Sequence, residues 1–166
     1  MVQGTIKQLK QTDSYNLVGD IGGTNARFAL VAKGESELIS IKTLQCNKFE
    51  TTQQAIKYYL SSIDNVQIES ACIASAGTTH LDIFKPANND WIINKSNVSS
   101  ALNDIQVIWI NDFSAQALAT TILTTNDVIV INPNNPKVKS AGFIGNFGNV
   151  ATVISLALSI TILLAR

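Results

Sequence analysis

The chain reads as an α/β layer structure, with helices packed on a mixed sheet. Three observations predict it. An apolar stretch (Leu17, Val18), two adjacent glycines and a second apolar run through Phe28-Ala29-Leu30-Val31-Ala32 describe an opening antiparallel ribbon. Beyond it, short apolar runs alternate with helical patterns, the order that layered α/β folds produce. The 166 residues are 46% hydrophobic and carry no net charge, enough for one good core and hence one domain.

The elements follow in order. Glu37 to Leu44 carries Leu38, Ile39, Ile41 and Leu44 among polar residues and suits a third strand. Thr51 or Thr52 caps a helix whose apolar face is Ala55, Ile56, Tyr59, Leu60 and Ile63. Val66 to Ser75 is a short, largely apolar run, the signature of a buried strand. Thr78 to Asp90 is a polar loop, in which Pro86 bars a continuous helix or central strand. Trp91-Ile92-Ile93 is a short strand, and Ser96 caps a helix to about Asn103. Val107-Ile108-Trp109-Ile110 is fully apolar and strand-like, and Asn111-Asp112-Phe113 leads into a helix with Ala115, Ala117, Leu118 and Ala119. Asn132 to Pro136 is a turn or linker, and Ala141 to Ile144 starts another strand.

Charge and rare residues exclude several functions. Twelve basic and twelve acidic residues, with no basic run, argue against nucleic-acid binding. Cys46 and Cys72 lack C-x-x-C spacing and read as thiols in a reducing cytoplasm. The single histidine, His80, can supply one metal ligand at most and is expected to be a solvated loop residue. Met1 to Asp13 has no apolar core and is expected to be loose rather than a signal peptide.

The first functional candidate is Val18-Gly19-Asp20-Ile21-Gly22-Gly23-Thr24-Asn25-Ala26-Arg27. A turn of Gly22 and Gly23 has almost no side-chain bulk, so backbone N–H groups can approach an anion such as a phosphate. Asp20, at the strand end, could hold a hydrated Mg²⁺ beside it. The alternative is ordinary hairpin chemistry, for which Gly-Gly and a neighbouring Asp are common. The stretch is neither a P-loop nor a dinucleotide fingerprint, which need G-x-x-x-x-G-K-[ST] and G-x-G-x-x-G.

The second candidate is Asn111-Asp112-Phe113, where a buried strand gives way to a helix. Ligands of open α/β sheets bind outside the carboxyl ends of strands. An Asp there is drawn toward the anion by the helix N-terminus and toward the neutral acid by burial. A carboxylate kept ionised yet poorly hydrated can accept a proton from a hydroxyl nucleophile, the one acid–base task of phosphoryl transfer. The alternative is a plain helix N-cap.

Together these motifs resemble the bacterial glucokinases, of the actin-like and hexokinase-like ATPase superfamily. Val18 to Arg27 is similar to their first phosphate loop, and Ile110-Asn111-Asp112-Phe113 to their sugar-and-base motif. The resemblance spans about residues 15 to 145. It implies a ribonuclease-H-like domain with a mixed sheet and flanking helices, and an enzyme passing the γ-phosphoryl of MgATP to the 6-hydroxyl of glucose in glycolysis. By the same resemblance Asp112 is the catalytic base, and Asn111, Asp112 and Asn88 contact the sugar. Gly19, Asp20, Ile21, Gly22, Gly23 and Thr24 bind the nucleotide, and Asp20 holds Mg²⁺ through water. ATP and Mg²⁺ are thus the expected cofactors, glucose and ATP the partners, and the cytoplasm the location. The family is often homodimeric. Asn88 with Trp91 is similar to a family Thr-Asn-x-x-Trp element, with Ala87 in the Thr position. Ser75-Ala76-Gly77 departs from the family's proline-containing turn and is given no role.

The likeness breaks at Gly145, where the family continues into a second Gly-rich loop. Here Asn146-Phe147-Gly148-Asn149 follows, and Ser140 to Ala165 contains no charge. Three divisions are expected: a loose 1–14, a glucokinase N-terminal domain over 15–145 and an atypical apolar tail over 146–166, the second domain being missing. The tail is a buried piece of a longer fold, a membrane segment or a frameshifted or truncated reading. Its continuous apolar part falls short of the roughly 20 residues that span a bilayer, and the abrupt break favours the third. The expected function is therefore the N-terminal part of an ATP-dependent glucokinase, inactive as an isolated chain. A non-catalytic sugar-binding regulator of the same superfamily is the alternative.

Overall fold

The computed structural model describes residues 14–33, 35, 37–63 and 66–119. Its centre is a five-stranded sheet of β1 (Ser14–Ile21), β2 (Asn25–Ala32), β3 (Ile39–Gln45), β4 (Gln67–Ser75) and β7 (Gln106–Asn111), in the order β3-β2-β1-β4-β7. The first three form an antiparallel meander, while β4 lies parallel to β1 and β7 parallel to β4. A small antiparallel pair, β5 (Ile83–Phe84) and β6 (Ile93–Asn94), sits between β4 and β7 in the chain. The mixed sheet with flanking helices is the architecture expected.

Strand alternation sorts side chains onto two faces. Tyr15, Leu17 and Ile21 of β1 join Phe28, Leu30 and Ile73 in the larger core. Helices α1 (Thr52–Ser61) and α2 (Lys95–Ala101) cover it with Ala55, Ile56, Tyr59 and Val98. Phe28 and Tyr59 meet at 5.5 Å between ring centroids, and each such buried side chain contributes about 1.5–3 kcal/mol relative to exposure. The opposite face carries Val18, Ala29, Val31 and Cys72, all fully buried. There α3 (Asp112–Ala119) sets Ala115 against Ala74 and Ile110. Burial on both faces explains why the central strands read as unbroken apolar runs.

Local chemistry sets the helix starts. Thr51 caps α1, its hydroxyl accepting from the Gln54 N–H at 3.2 Å, while Gln54 Oε1 accepts from the Glu50 N–H at 2.9 Å. At α2 the expected cap is corrected. Asn94 holds that place, its Oδ1 accepting from the Asn97 N–H, and Ser96 sits in the first turn donating its hydroxyl to Asn94. The helix accordingly runs over Lys95–Ala101 rather than from Ser96 to Asn103. The strand expected over Trp91-Ile92-Ile93 is confined to Ile93–Asn94, because the Trp91 N–H is taken by the Asn89 side chain at 2.9 Å. The loop over 78–90 contains β5, which ends two residues before Pro86. Cys46 and Cys72 are buried thiols, and His80 is exposed. The N-terminal 1–13, the turn at 132–136, the strand at 141–144 and the tail over 146–166 lie outside the described residues.

Candidate functional site

Three parallel strands stop at one level. Ile21 of β1 is in register with Ser75 of β4, and Ser75 with Asn111 of β7. With strands about 4.8 Å apart, β1 and β7 are separated by roughly 10 Å, with β4 between them. The segments leaving this edge are the Gly22–Thr24 turn, the Ala76–Gly77 corner and the N-terminus of α3.

The turn is held by its carbonyls. The Ile21 carbonyl accepts from Ser75 Oγ at 3.5 Å, and the Gly22 carbonyl from Asn89 Nδ2 at 2.8 Å and Cys46 Sγ at 3.8 Å. The Thr24 carbonyl accepts from the Cys46 N–H at 2.8 Å, and the Gly22 N–H closes the turn onto the Asn25 carbonyl at 3.0 Å. Burial pushes the Cys46 thiol up, so it remains a protonated donor. None of these bonds uses the N–H of Gly23 or Thr24. A loop whose carbonyls are tied back and whose N–H groups stay available is the arrangement an anion needs.

The glycines earn their places through close approach rather than unusual dihedrals. A Cβ on Gly23 would lie 2.7 Å from the Asn88 carbonyl oxygen and 3.0 Å from its Cβ. The turn therefore packs directly on the loop that carries Asn88, itself in the left-handed region at φ 57°. Gly19 lies inside β1, where a Cβ would meet the Phe28 ring at 3.1 Å, and Ile21 is fully buried in the same core. Of the residues assigned to the nucleotide, these two are placed by packing, whereas Gly22, Gly23 and Thr24 reach the surface.

Asp20 points to the opposite face from Ile21 and stands across from Arg27 of β2, with 3.3 Å between Oδ2 and Nη1. Burial pushes its carboxyl above the ordinary value, the Arg27 guanidinium opposes that rise, and the charge of Asp112 adds to it. Two acidic groups from different strand ends thus share one field. Neither the Arg27 pairing nor the Asp112 coupling is readable from local sequence, although Arg27 sits at the mirror position of the hairpin.

The competing readings of Asp112 separate here. Asn111 is the residue that caps α3, its Oδ1 accepting from the N–H of Phe113 at 3.0 Å and of Ser114 at 3.4 Å. Asp112 is the first residue of the helix, its carboxylate accepting the adjacent Phe113 N–H at 3.0 Å. The Asn111 amide donates to the Gly77 carbonyl at 3.2 Å. Gly77 has φ 124°, a conformation that favours glycine, so the 75–77 corner serves to anchor β4 to β7. Sequence reading gave that corner no role.

Asn88 lies against the turn, and Asn89 beside it is buried at 5% exposure. Trp91 is buried in the main core and donates its indole N–H to the Phe49 carbonyl at 2.9 Å. Among the described residues no group of three or more His, Cys, Asp and Glu side chains converges as a metal site. A divalent cation at this edge would therefore rest on one carboxylate with water and phosphate completing its shell, the usual manner of Mg²⁺. Asp20, largely buried and already paired with Arg27, is the carboxylate that the end of β1 offers for that part.

Comparison with known proteins bears on the family and the fold. The family model described as Glucokinase matches residues 17–146. A glucokinase of Hahella chejuensis is 43% identical over 106 residues, covering 64% of this chain and 33% of that protein. A glucokinase of Pseudomonas aeruginosa is 35% identical over 137 residues, covering 81% and 41%. The chain thus spans about a third to two fifths of the length of the curated relatives it matches. The crystal structure of glucokinase from an Antarctic psychrotroph superposes with TM-score 0.62 at 33% identity, covering 69% of this chain and 37% of that one. A ROK family glucokinase from Streptomyces griseus, solved in complex with glucose and AMPPNP, shares the fold at TM-score 0.51 and 22% identity, over 64% and 36%. The mixed sheet is the ribonuclease-H-like layer of the actin-like ATPases. The chain belongs to the glucokinase family, of which it carries an N-terminal portion.

Proposed function

We propose that this edge is the substrate-binding half of an ATP-dependent glucokinase, a cytoplasmic enzyme of glycolysis making glucose 6-phosphate. The observation that supports the reading is the shared register of Ile21, Ser75 and Asn111, which sets the Gly22–Thr24 turn and Asp112 at the same edge of the sheet. The Gly23 and Thr24 N–H groups receive phosphate oxygens of ATP. Asp20 would hold a hydrated Mg²⁺, which when bound would neutralise charge on the transferring phosphoryl group. Asn88 and the remaining N–H of the Asn111 amide contact the sugar. Asp112 accepts the proton of the 6-hydroxyl as the hydroxyl oxygen bonds to the γ-phosphorus, the bond from that phosphorus to the bridging oxygen breaks, and ADP leaves with the electron pair. The ligands of the Streptomyces griseus structure belong to the two classes proposed here.

Residues 15–145 are proposed as one domain of the enzyme. This chain covers 33–41% of its curated relatives. Its described residues supply one side of the proposed site, whereas ordering two substrates and excluding water takes a cleft with two. A coupled assay on the purified chain is expected to show no ATP-dependent glucose phosphorylation. The role of Asp112 is tested by its replacement with Ala in a full-length glucokinase carrying these motifs. Loss of turnover with ATP binding retained supports it, and unchanged turnover removes the base assignment.

A further inference from the structure

Asn89 is not among the residues assigned to either substrate, yet it touches both sides of the site. Its Nδ2 donates to the Gly22 carbonyl at 2.8 Å, across 67 residues of chain, and its Oδ1 accepts from the Trp91 N–H at 2.9 Å. The side chain is buried, so either end left unmatched would be costly. A carboxamide is the short side chain that offers a donor and an acceptor from one planar group. Immediately before it, Asn88 rests its backbone against Gly23. Cys46 completes the arrangement, with its thiol on the Gly22 carbonyl and its N–H on the Thr24 carbonyl.

We propose that Asn89 is a positioning residue that fastens the phosphate-side turn to the sugar-side loop, so that one side chain sets the geometry of both subsites. The names of the two ligands rest on the function proposed above; the fastening does not. Removing the amide donor frees the Gly22 carbonyl to rotate, which changes where the Gly23 and Thr24 N–H groups point. Removing the acceptor frees the Trp91 backbone, and with it the loop that presents Asn88.

Amide hydrogen exchange with two variants tests this. In Asn89→Ala, the Gly22, Cys46 and Trp91 amides are expected to exchange at least about tenfold faster, while Cys72 and Ile73 in the central ladder keep wild-type rates. In Asn89→Asp, which keeps the acceptor and loses the donor, Trp91 stays protected and only Gly22 and Cys46 speed up. Calorimetric titration of the same proteins with MgATP and with glucose is expected to show both affinities falling several-fold in Asn89→Ala. In Asn89→Asp the loss is expected to fall chiefly on MgATP. Unchanged Gly22 and Cys46 exchange in both variants overturns the proposal, as does loss of one affinity in Asn89→Ala with the other intact. A wild-type chain that binds neither ligand contradicts the proposed function, and the exchange rates then still decide the fastening.

Discussion

The carboxyl ends of β1 and β7 stand at the same level of one sheet and do opposite things. The first runs into a turn that offers backbone N–H groups, with its side-chain bulk removed at Gly22 and Gly23. The second runs into a helix that offers a carboxylate, its cap supplied by Asn111, so that among the described residues Asp112 accepts a single N–H. Under the proposed function the first end receives negative charge and the second receives a proton. The lesson is that a sheet edge can hold incompatible chemistries a fixed distance apart, because register, not side-chain contact, sets the spacing.

The comparison breaks most sharply at Asp112. In a full-length glucokinase carrying these motifs, Asp112→Asn is expected to lower kcat by about 10²–10⁴, the usual worth of a positioned base. Nucleotide affinity should stay within a few-fold, because the turn is on the other strand end. A parallel collapse of nucleotide binding would show that the two ends are not separable.

Gly23→Ala attacks the other end. Its Cβ would fall 2.7 Å from the Asn88 carbonyl, a backbone atom that cannot swing aside. Overpacking of this kind costs about 1–3 kcal/mol, to be read from urea unfolding, and MgATP affinity should fall with it. A wild-type midpoint would mean that the two loops do not touch. Thr51→Ala is the control on the helix-covered face. It should cost about 1 kcal/mol, as a lost N-cap does, and leave both ligand affinities unchanged.

The smallest effect concerns Asp20. Because its folded carboxyl is raised above the ordinary value of 3.8, the folded state holds the proton more tightly than the unfolded one. Its contribution to stability is complete below the unfolded value and is lost as pH rises through the folded value. Asp20→Asn should therefore remove the part of the fall in stability that begins near 3.8 and ends above the folded value, measured as denaturation midpoint against pH. An unaltered profile would mean that Arg27 fully offsets the burial.

What sequence made legible was local. The Gly22-Gly23 hairpin, the Thr51 cap, and the passage from β7 into α3 all depend on residues within a few positions of each other. Asn94 in place of Ser96 as the α2 cap was missed because both residues are good caps two positions apart, and the choice turns on which oxygen reaches Asn97. Asn89 was missed for the opposite reason. Its partner Gly22 is 67 residues away, and an Asn in a polar loop next to Asn88 carries no local sign of burial. Arg27 closes the motif in sequence, but its pairing with Asp20 follows only from the hairpin register. The 75–77 corner, read as without role, acquires one only when β4 and β7 are side by side.

The central claim is that ATP and glucose meet at the carboxyl edge of β1, β4 and β7. Backbone amide shifts of the labelled chain, recorded while MgATP and then glucose are titrated in, test it most directly. Nucleotide-dependent changes are expected at Gly22, Gly23 and Thr24, and sugar-dependent changes at Asn88, Asn111 and Asp112. Shifts confined to the opposite edge, around Lys33, Glu69 and Ile105, would contradict it.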